Sequence, residues 1–138
     1  DRSERATTLF YVATLEYLRK GGRIGTASAL LGSALSVKPI LSVQEGRVRP
    51  VEKVRTSARA IARLEELTAR ASEQHTDGVE VAVQHLDAAQ AAEDLAGRLR
   101  ESLGLSHVDV AEVGAVIGAH VGPGLLAVTV SGKLPPVR

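Results

Sequence analysis

The sequence predicts an α/β domain of two layers, with a mixed β-sheet and with helices packed mainly on one face. Three observations lead to this prediction. β-rich runs and helical periodicities alternate along the 138 residues, which is the pattern of an α/β fold. Glu45-Gly46 separates two short β-rich runs and is typical of a hairpin turn, so at least one strand pair is antiparallel. Apolar residues recur every three or four positions over 53–73, which predicts a long amphipathic helix.

The first elements follow from β propensity and helix-end signals. A flexible lead over 1–8 is predicted to precede a strand that starts at Leu9. Thr14 suits the N-cap of a brief helix, and Gly21-Gly22 ends that helix. The apolar residues between 26 and 35 are spaced for one or two further helical turns.

The middle of the chain contains the hairpin and the long helix. Pro39 is expected to stop the preceding helical segment. The runs 40–43 and 47–50 then form the two strands of the hairpin, and the helix over 53–73 follows them.

The last part alternates again between strands and helix. Valines at alternate positions from Val79 predict a half-buried strand. Asp87, with Gln90 three residues later, resembles a capping box that opens a helix closed by Gly104. We predict further strands over 108–113 and 125–130, with a glycine-punctuated loop over 114–124 between them and a loose tail over 131–138.

Composition argues against several classes of function. The net charge is +1 and aromatic residues make up 2%, which argues against a nucleic-acid binder. The chain contains no Cys, so disulfides, thiol catalysis and thiolate metal sites are excluded. We expect no stable membrane insertion and a cytoplasmic location, because no apolar run approaches the roughly 20 residues that cross a bilayer.

The segment Gly118-Ala119-His120-Val121-Gly122-Pro123-Gly124 is the most unusual in the sequence. Glycines on both sides of a histidine let the backbone turn sharply and present the imidazole to an anionic ligand. A Gly-Pro-Gly turn with an incidental histidine explains the same residues equally well.

Arginines in two places are candidates for recognition of an acidic group. Arg23 lies in a glycine-rich corner and could pair with a carboxylate or phosphate, although a surface arginine after a helix C-cap is the simpler interpretation. Arg55, Arg59 and Arg63 are four residues apart, with Lys53 just before them. This ridge would suit an acidic partner, and a solvated helix face is the alternative.

Two His-x-Asp patterns, His85 with Asp87 and His107 with Asp109, raise the question of a metal site. Zinc sites need three or four ligands, and Asp87 is already interpreted as a helix cap. We therefore predict neither a metal nor any other cofactor. The serines have no partner histidine and aspartate at a spacing that indicates a nucleophile.

Four ordered stretches resemble the C-terminal half of a DegV family protein, a bacterial family that binds fatty acids. They span nearly the whole chain from 9 to 130, and they are Leu15 to Ile24, Val37 to Leu41, Gly46 to Arg55, and Gly118 to Gly124. The resemblance implies a domain over 9–130 that follows an N-terminal α/β domain absent from this chain. It further implies that one long-chain fatty acid lies between the two domains. A separate ATP-dependent fatty acid kinase subunit would phosphorylate its carboxylate, so the binding protein itself is not an enzyme.

The resemblance also assigns roles to residues. His120 would bind the carboxylate or acyl phosphate, with Gly122 and Gly124 beside it and with Arg23 in support. Lys53 and Arg55, extended along the ridge to Arg59, would meet the kinase. Leu30, Leu31 and Ala34, with Leu35, would line the tunnel, and core packing explains these apolar residues equally well.

Three further expectations complete the sequence-based interpretation. With the N-terminal half of the site missing, the domain would bind fatty acid poorly, and its exposed apolar face favours self-association. A hydrolase that uses His120 is one alternative function. A protein-interaction module that uses the arginine ridge is the other.

Overall fold

Six strands in the described part of the chain form one mixed sheet. A computed structural model describes residues 6–22, 24–25, 38–44 and 46–133. The elements in chain order are β1 (Thr7–Tyr11), α1 (Glu16–Lys20), β2 (Lys38–Gln44), β3 (Arg47–Val54), α2 (Ser57–Ser72), β4 (Val79–His85), α3 (Ala89–Leu103), β5 (Asp109–Glu112), α4 (Ala115–Val121) and β6 (Leu126–Gly132). The strand order is β3-β2-β1-β6-β4-β5. Among these strands β4 and β5 pair in parallel and the other neighbours are antiparallel, so the predicted mixed α/β sheet is confirmed.

The two long helices lie together on one face of the sheet. α2 and α3 bury their apolar sides there, in a core that includes Leu64, Leu95 and Val128. The opposite face carries the two short helices. There Phe10 on β1 and Leu18 on α1 belong to a second, smaller core. Alternate residues of each strand therefore point into different cores, and the smaller core lies on the face that has room for a ligand.

The hairpin forms where the turn residues predict it. β2 and β3 pair in antiparallel fashion, with Gln44 opposite Arg47. Gly46 in the turn has a φ of 76°, a conformation that glycine adopts at little cost. The helical turns predicted over 26–35 lie outside the described residues.

The long helix begins later than its periodicity predicts. β3 continues to Val54, so Lys53 belongs to the strand. α2 starts at Ser57 because the Thr56 hydroxyl accepts a hydrogen bond from the Arg59 backbone N–H at 3.1 Å. This cap satisfies one of the N–H groups that the first helical turn leaves free. The predicted start at residue 53 is therefore wrong.

A buried histidine replaces the predicted cap of α3. Asp87 has a φ of 55° and precedes Ala88, which is the N-cap residue. His85 Nδ1 accepts a hydrogen bond from the Ala88 backbone N–H at 3.2 Å, while Gln90 donates to Asp94 at 2.9 Å. The predicted capping box of Asp87 and Gln90 is wrong because the imidazole of His85 supplies the acceptor.

The glycine-punctuated segment forms helix α4 rather than a loop. Gly118 N–H donates to the Gly114 carbonyl, and Gly122 N–H donates to the Gly118 carbonyl, both at 2.9 Å. Gly118 is buried against Leu86, and a β-carbon there would lie 3.1 Å from a Leu86 methyl carbon. The glycine permits close packing of α4 without breaking the helix. His120 therefore lies in the last turn of a helix, which corrects the loop prediction.

The first and last strands each extend beyond their predicted limits. β1 begins at Thr7, inside the predicted lead over 1–8, and β6 ends at Gly132, inside the predicted tail over 131–138. Lys133 N–H also donates to the Gly78 carbonyl at 3.0 Å. Backbone pairing with neighbouring strands orders these residues, and composition alone does not reveal such pairing.

Candidate ligand-binding site

A pocket of about 770 Å³ opens on the face of the sheet that carries α1 and α4. This volume is in the range of small-molecule sites. The wall is mostly apolar, and it comes from alternate strand residues together with both short helices. The described lining residues are Thr8, Phe10, Leu18, Gly22, Gly25, Val43, Gly46, Arg47, Val48, Gln84, Val113, Ile117, His120, Val121, Leu125 and Ala127.

The pocket extends across the strands. Its lining includes Val48 on β3 and Gln84 on β4, and three strands, β2, β1 and β6, stand between them in the sheet. Neighbouring strands lie about 4.8 Å apart, so the four strand-to-strand steps from β3 to β4 span roughly 19 Å. A groove of this length with an apolar wall fits an extended hydrocarbon chain.

The middle of the floor combines a large and a small side chain. Phe10 on β1 and Ala127 on β6 are register partners, and both are buried. Ala127 also pairs with Gln84 on β4. Because the alanine methyl is short, space remains above the sheet beside the Phe10 ring.

His120 supplies an imidazole to this apolar pocket. The side chain is half-buried and lies in the pocket wall. Among the described residues His120 has no hydrogen-bond partner. Its ring nitrogens are therefore not committed to a described carboxylate or hydroxyl, as they would be in a catalytic dyad. An imidazole in this position can donate a hydrogen bond to an anionic oxygen.

α1 and α4 approach each other closely because a glycine follows each helix. Gly21 after α1 makes room for the His120 ring of α4, and Gly122 after α4 makes room for the Tyr17 ring of α1. A β-carbon on Gly21 would collide with His120 Nδ1 and would lie 3.2 Å from His120 Cε1. A β-carbon on Gly122 would lie 2.6 Å from Tyr17 Cε1. The His120 and Tyr17 rings therefore occupy the space that side chains at Gly21 and Gly122 would need.

Gly122 and Gly124, predicted to bind ligand, make their described contacts with the protein itself. Gly122 is buried with a φ of 85°, and Gly124 has a φ of 96°. Gly124 N–H donates to the Leu86 carbonyl at 2.8 Å. Neither glycine is among the described lining residues, and their direct contact with a ligand stays a prediction. Their positive φ angles explain why glycine stands there.

Four predicted ligand-binding residues, Arg23, Leu30, Leu31 and Ala34, lie outside the described residues, as does Leu35. Gly22 and Gly25, which flank the Arg23 segment, do line the pocket. The assigned roles of these residues remain predictions.

The sequence interpretation missed Tyr17, Gly21 and Ile117. Gly21-Gly22 was interpreted as a helix end, yet of these two only Gly22 has a positive φ, at 71°. The backbone requires glycine only at position 22, so the additional glycine at position 21 indicates that another group packs closely there. Ile117 gave no such signal, because it was counted within a glycine-rich loop.

The predicted partner residues form a separate, charged surface. Lys53, Arg55 and Arg59, here called the basic surface, are all exposed and line a shallow cavity of about 500 Å³. None of the three residues is among the described lining residues of the ligand pocket, and Arg59 is on α2, which packs on the opposite face of the sheet. The three cations form no ion pair with the described residues.

Arg63 does not belong with these free cations. Its guanidinium forms two hydrogen bonds with Glu52, at 2.5 and 2.9 Å, and an ion pair with Glu66 at 3.2 Å. The hydrogen bond from Arg63 lowers the pKa of Glu52. Arg55 lies before α2 begins. The predicted ridge of three arginines on one helical face is therefore wrong, because Arg55 precedes the helix and Arg63 is paired.

The two His-x-Asp patterns have different structural roles. His85 is buried and caps α3. His107 is exposed and contacts Asp109, with Nε2 and Oδ1 2.5 Å apart. Within the described ranges no three His, Asp or Glu side chains are grouped as a metal site would need. In the same part of the chain, the helices are too short or too polar to span a membrane.

Comparison with known proteins relates the whole fold to one family. A family model described as uncharacterised protein, DegV family, matches residues 1–133. A DegV domain-containing protein of Streptomyces coelicolor is 56% identical over 134 residues, which cover 96% of this chain and 47% of the relative. The chain thus spans about half the length of the curated relatives it matches.

Two solved structures agree with this comparison. A fatty acid binding DegV family protein of Streptococcus agalactiae has a TM-score of 0.87 and 31% identity, over 96% of this chain and 47% of that one. A DegV family protein of Thermus thermophilus, described by its fatty acid binding, has a TM-score of 0.84 and 32% identity, over 93% of this chain and 46% of that one. These two likenesses cover nearly all of the present chain.

Proposed function

Since the chain belongs to the DegV family, we propose that it forms the C-terminal half of a protein that binds one long-chain fatty acid. The single observation that carries this proposal is the apolar pocket with the His120 imidazole in its wall. The acyl chain lies across the strands over Phe10 and Ala127, and the carboxylate faces His120. An N-terminal domain completes the site from the open side.

Burial of the acyl chain supplies most of the binding free energy. Each buried methylene contributes about 0.8 kcal/mol, so ten of them contribute about 8 kcal/mol before the cost of ordering the ligand. The described wall offers Phe10, Val48 and Leu125 for this contact. A second wall is needed to exclude water from the other side of the chain. Exposed Ile117 in the pocket wall and its exposed neighbour Val116 favour self-association of the 138-residue chain on its own.

His120 recognises the head group in this proposal. A carboxylate taken out of water needs hydrogen-bond donors, because an unpaired buried charge is costly. The half-buried imidazole can supply one donor, and Arg23 would support it. The bound carboxylate is then presented to a separate fatty acid kinase subunit in the cytoplasm. That subunit transfers a phosphoryl group from ATP to a carboxylate oxygen, giving acyl phosphate and ADP.

The first prediction concerns the bound lipid. Native mass spectrometry of the intact two-domain protein, after mild purification, is expected to show one added mass in the range of a long-chain fatty acid. Ala127→Phe places a ring over the pocket floor and is expected to lower lipid occupancy by more than half. The matched control is Ala111→Phe, because Ala111 is exposed on β5 outside the pocket. A protein that stays empty after incubation with fatty acids would contradict the proposed function.

The basic surface is proposed to dock the kinase. Lys53, Arg55 and Arg59 are exposed and free of described ion pairs, so they are available to an acidic partner. Such charges act mainly on the rate of association, and salt weakens them. The surface lies away from the pocket, so its charge can be altered without touching the ligand.

The second prediction follows from this separation. Arg55→Glu is expected to lower kcat/KM for acyl phosphate formation by roughly five- to tenfold at low salt and by less at high salt, with fatty-acid affinity unchanged. Arg100→Glu on α3 is the charge-matched control, since Arg100 is also exposed, and it should leave both quantities unchanged. Equal effects of the two variants would indicate a general charge effect. Lost fatty-acid binding in Arg55→Glu would indicate a structural role.

A further inference from the structure

We propose that Gly21 and Tyr17 are positioning residues that hold the His120 imidazole toward the head group of the ligand. This inference rests on the proposed function, which gives His120 its role. Tyr17 in α1 and Gly21, the C-cap residue that follows it, are four residues apart and so lie on the same side of the helix end. That face contacts the end of α4 at two points, the His120 ring and Gly122.

The backbone does not explain the glycine at position 21. Gly21 has φ and ψ of −82° and −2°, and a negative φ of this kind does not require glycine. Its neighbour Gly22 has a φ of 71° and open space where a β-carbon would lie. Glycine is therefore needed at position 22 for its backbone conformation, whereas at position 21 it leaves space for the His120 imidazole.

The Tyr17 ring makes the second contact between α1 and the end of α4. Its ring fills the space beside Gly122, where a β-carbon would lie 2.8 Å from Tyr17 Cγ. Gly122 ends α4, two residues after His120. The Tyr17 ring therefore holds the end of α4 against α1, and this contact keeps the His120 ring over Gly21.

Packing is what orients this imidazole before a ligand binds. His120 has no hydrogen-bond partner within the described ranges, so no polar contact from them fixes its rotamer. A side chain that is ordered only when the ligand binds loses conformational entropy at that moment, which weakens binding. The contact with Gly21 removes part of that cost in advance.

A double-mutant cycle tests this inference. The intact protein is compared as parent, Gly21→Ala, His120→Ala and the double variant, with a long-chain fatty acid and the fatty alcohol of equal length. The added methyl group should displace the ring, so Gly21→Ala is expected to weaken fatty-acid binding about tenfold and alcohol binding less than twofold. With His120 already removed, Gly21→Ala should weaken acid binding less than twofold. An equal loss in both backgrounds would overturn the positioning role.

A ligand-free measurement separates this inference from the proposed function. The His120 Cε1–Hε1 resonance is expected to shift in Gly21→Ala and to stay in place in Gly97→Ala, because a β-carbon on Gly97 meets no atom within 4 Å. An unmoved resonance would overturn the inference even if lipid binds. A parent protein that binds neither ligand would overturn the proposed function, while the resonance still tests the packing of His120 on Gly21.

A second variant covers the case in which Gly21→Ala does not fold. Tyr17→Ala removes a partly exposed ring and creates no clash. It frees the end of α4, so fatty-acid binding should weaken severalfold, again with less than a twofold change once His120 is absent. Unchanged binding in Tyr17→Ala would exclude Tyr17 from the positioning role.

Discussion

Replacing Gly122 with alanine is expected to lower the free energy of unfolding of the chain by roughly 3 kcal/mol. Two costs add at this position. Gly122 has a φ of 85° and a ψ of 164°, a backbone conformation that is essentially restricted to glycine and that costs other residues about 1–3 kcal/mol. The new methyl group would also overlap the Tyr17 ring, and overpacking of this kind costs about 1–3 kcal/mol more.

Thermal and urea unfolding of the 138-residue chain measure this loss. A fall in Tm of roughly 10 °C corresponds to the expected change for a domain of this size. Gly97→Ala is the matched control, since Gly97 lies inside α3 with open space around it. Alanine there should stabilise the helix by about 0.5–1 kcal/mol. Parental stability in Gly122→Ala would show that the α4 corner relaxes and that glycine is not required.

The fold could be predicted wherever local signals decide it. Alternation of Val79, Val81 and Val83 marks β4 because successive strand residues face opposite sides. Glu45-Gly46 marks the hairpin because a left-handed turn residue is needed there. These signals depend only on residues that are close in sequence, so they can be recognised without knowledge of the tertiary structure.

Local signals failed where a residue outside the expected motif makes the deciding contact. Asp87 and Gln90 have the spacing of a capping box, yet His85 caps α3 from the end of β4. The segment that holds His120 has the composition of a loop, yet burial of Gly118 against Leu86 stabilises a helix there. The His85 contact is local, three residues from Ala88, whereas the contact of Gly118 with Leu86 is tertiary and outweighs a weak local preference.

In the candidate site, too, the sequence reveals some residues and not others. His120 stood out because glycines surround it, and the structure places it in the pocket wall. Tyr17 and Gly21 could not be identified from periodicity, because their importance depends on the approach of α1 to α4 in space. Spacing groups Arg63 with Arg59, whereas the structure pairs Arg63 with Glu52 on β3 and with Glu66 one turn further along α2.

Replacing His120 with alanine is expected to weaken fatty-acid binding by the intact protein roughly ten- to hundredfold. A hydrogen bond to a charged group contributes about 1.5–3 kcal/mol, and each 1.4 kcal/mol is about tenfold in Kd. The variant removes this bond from a carboxylate that the apolar pocket partly desolvates. The alcohol of equal chain length carries no charge at this position, so its Kd should change less than threefold.

The acid and alcohol pair separates recognition of the head group from the shape of the pocket. Equal losses for both ligands would mean that the imidazole shapes the pocket, and unchanged acid binding would remove His120 from recognition altogether. His107→Ala is the matched control, because His107 is exposed and is not among the described lining residues of the pocket, and it should leave both Kd values unchanged. Acyl phosphate formation should fall with acid binding in His120→Ala at subsaturating fatty acid, since a carboxylate that is no longer held at the pocket is no longer presented to the kinase.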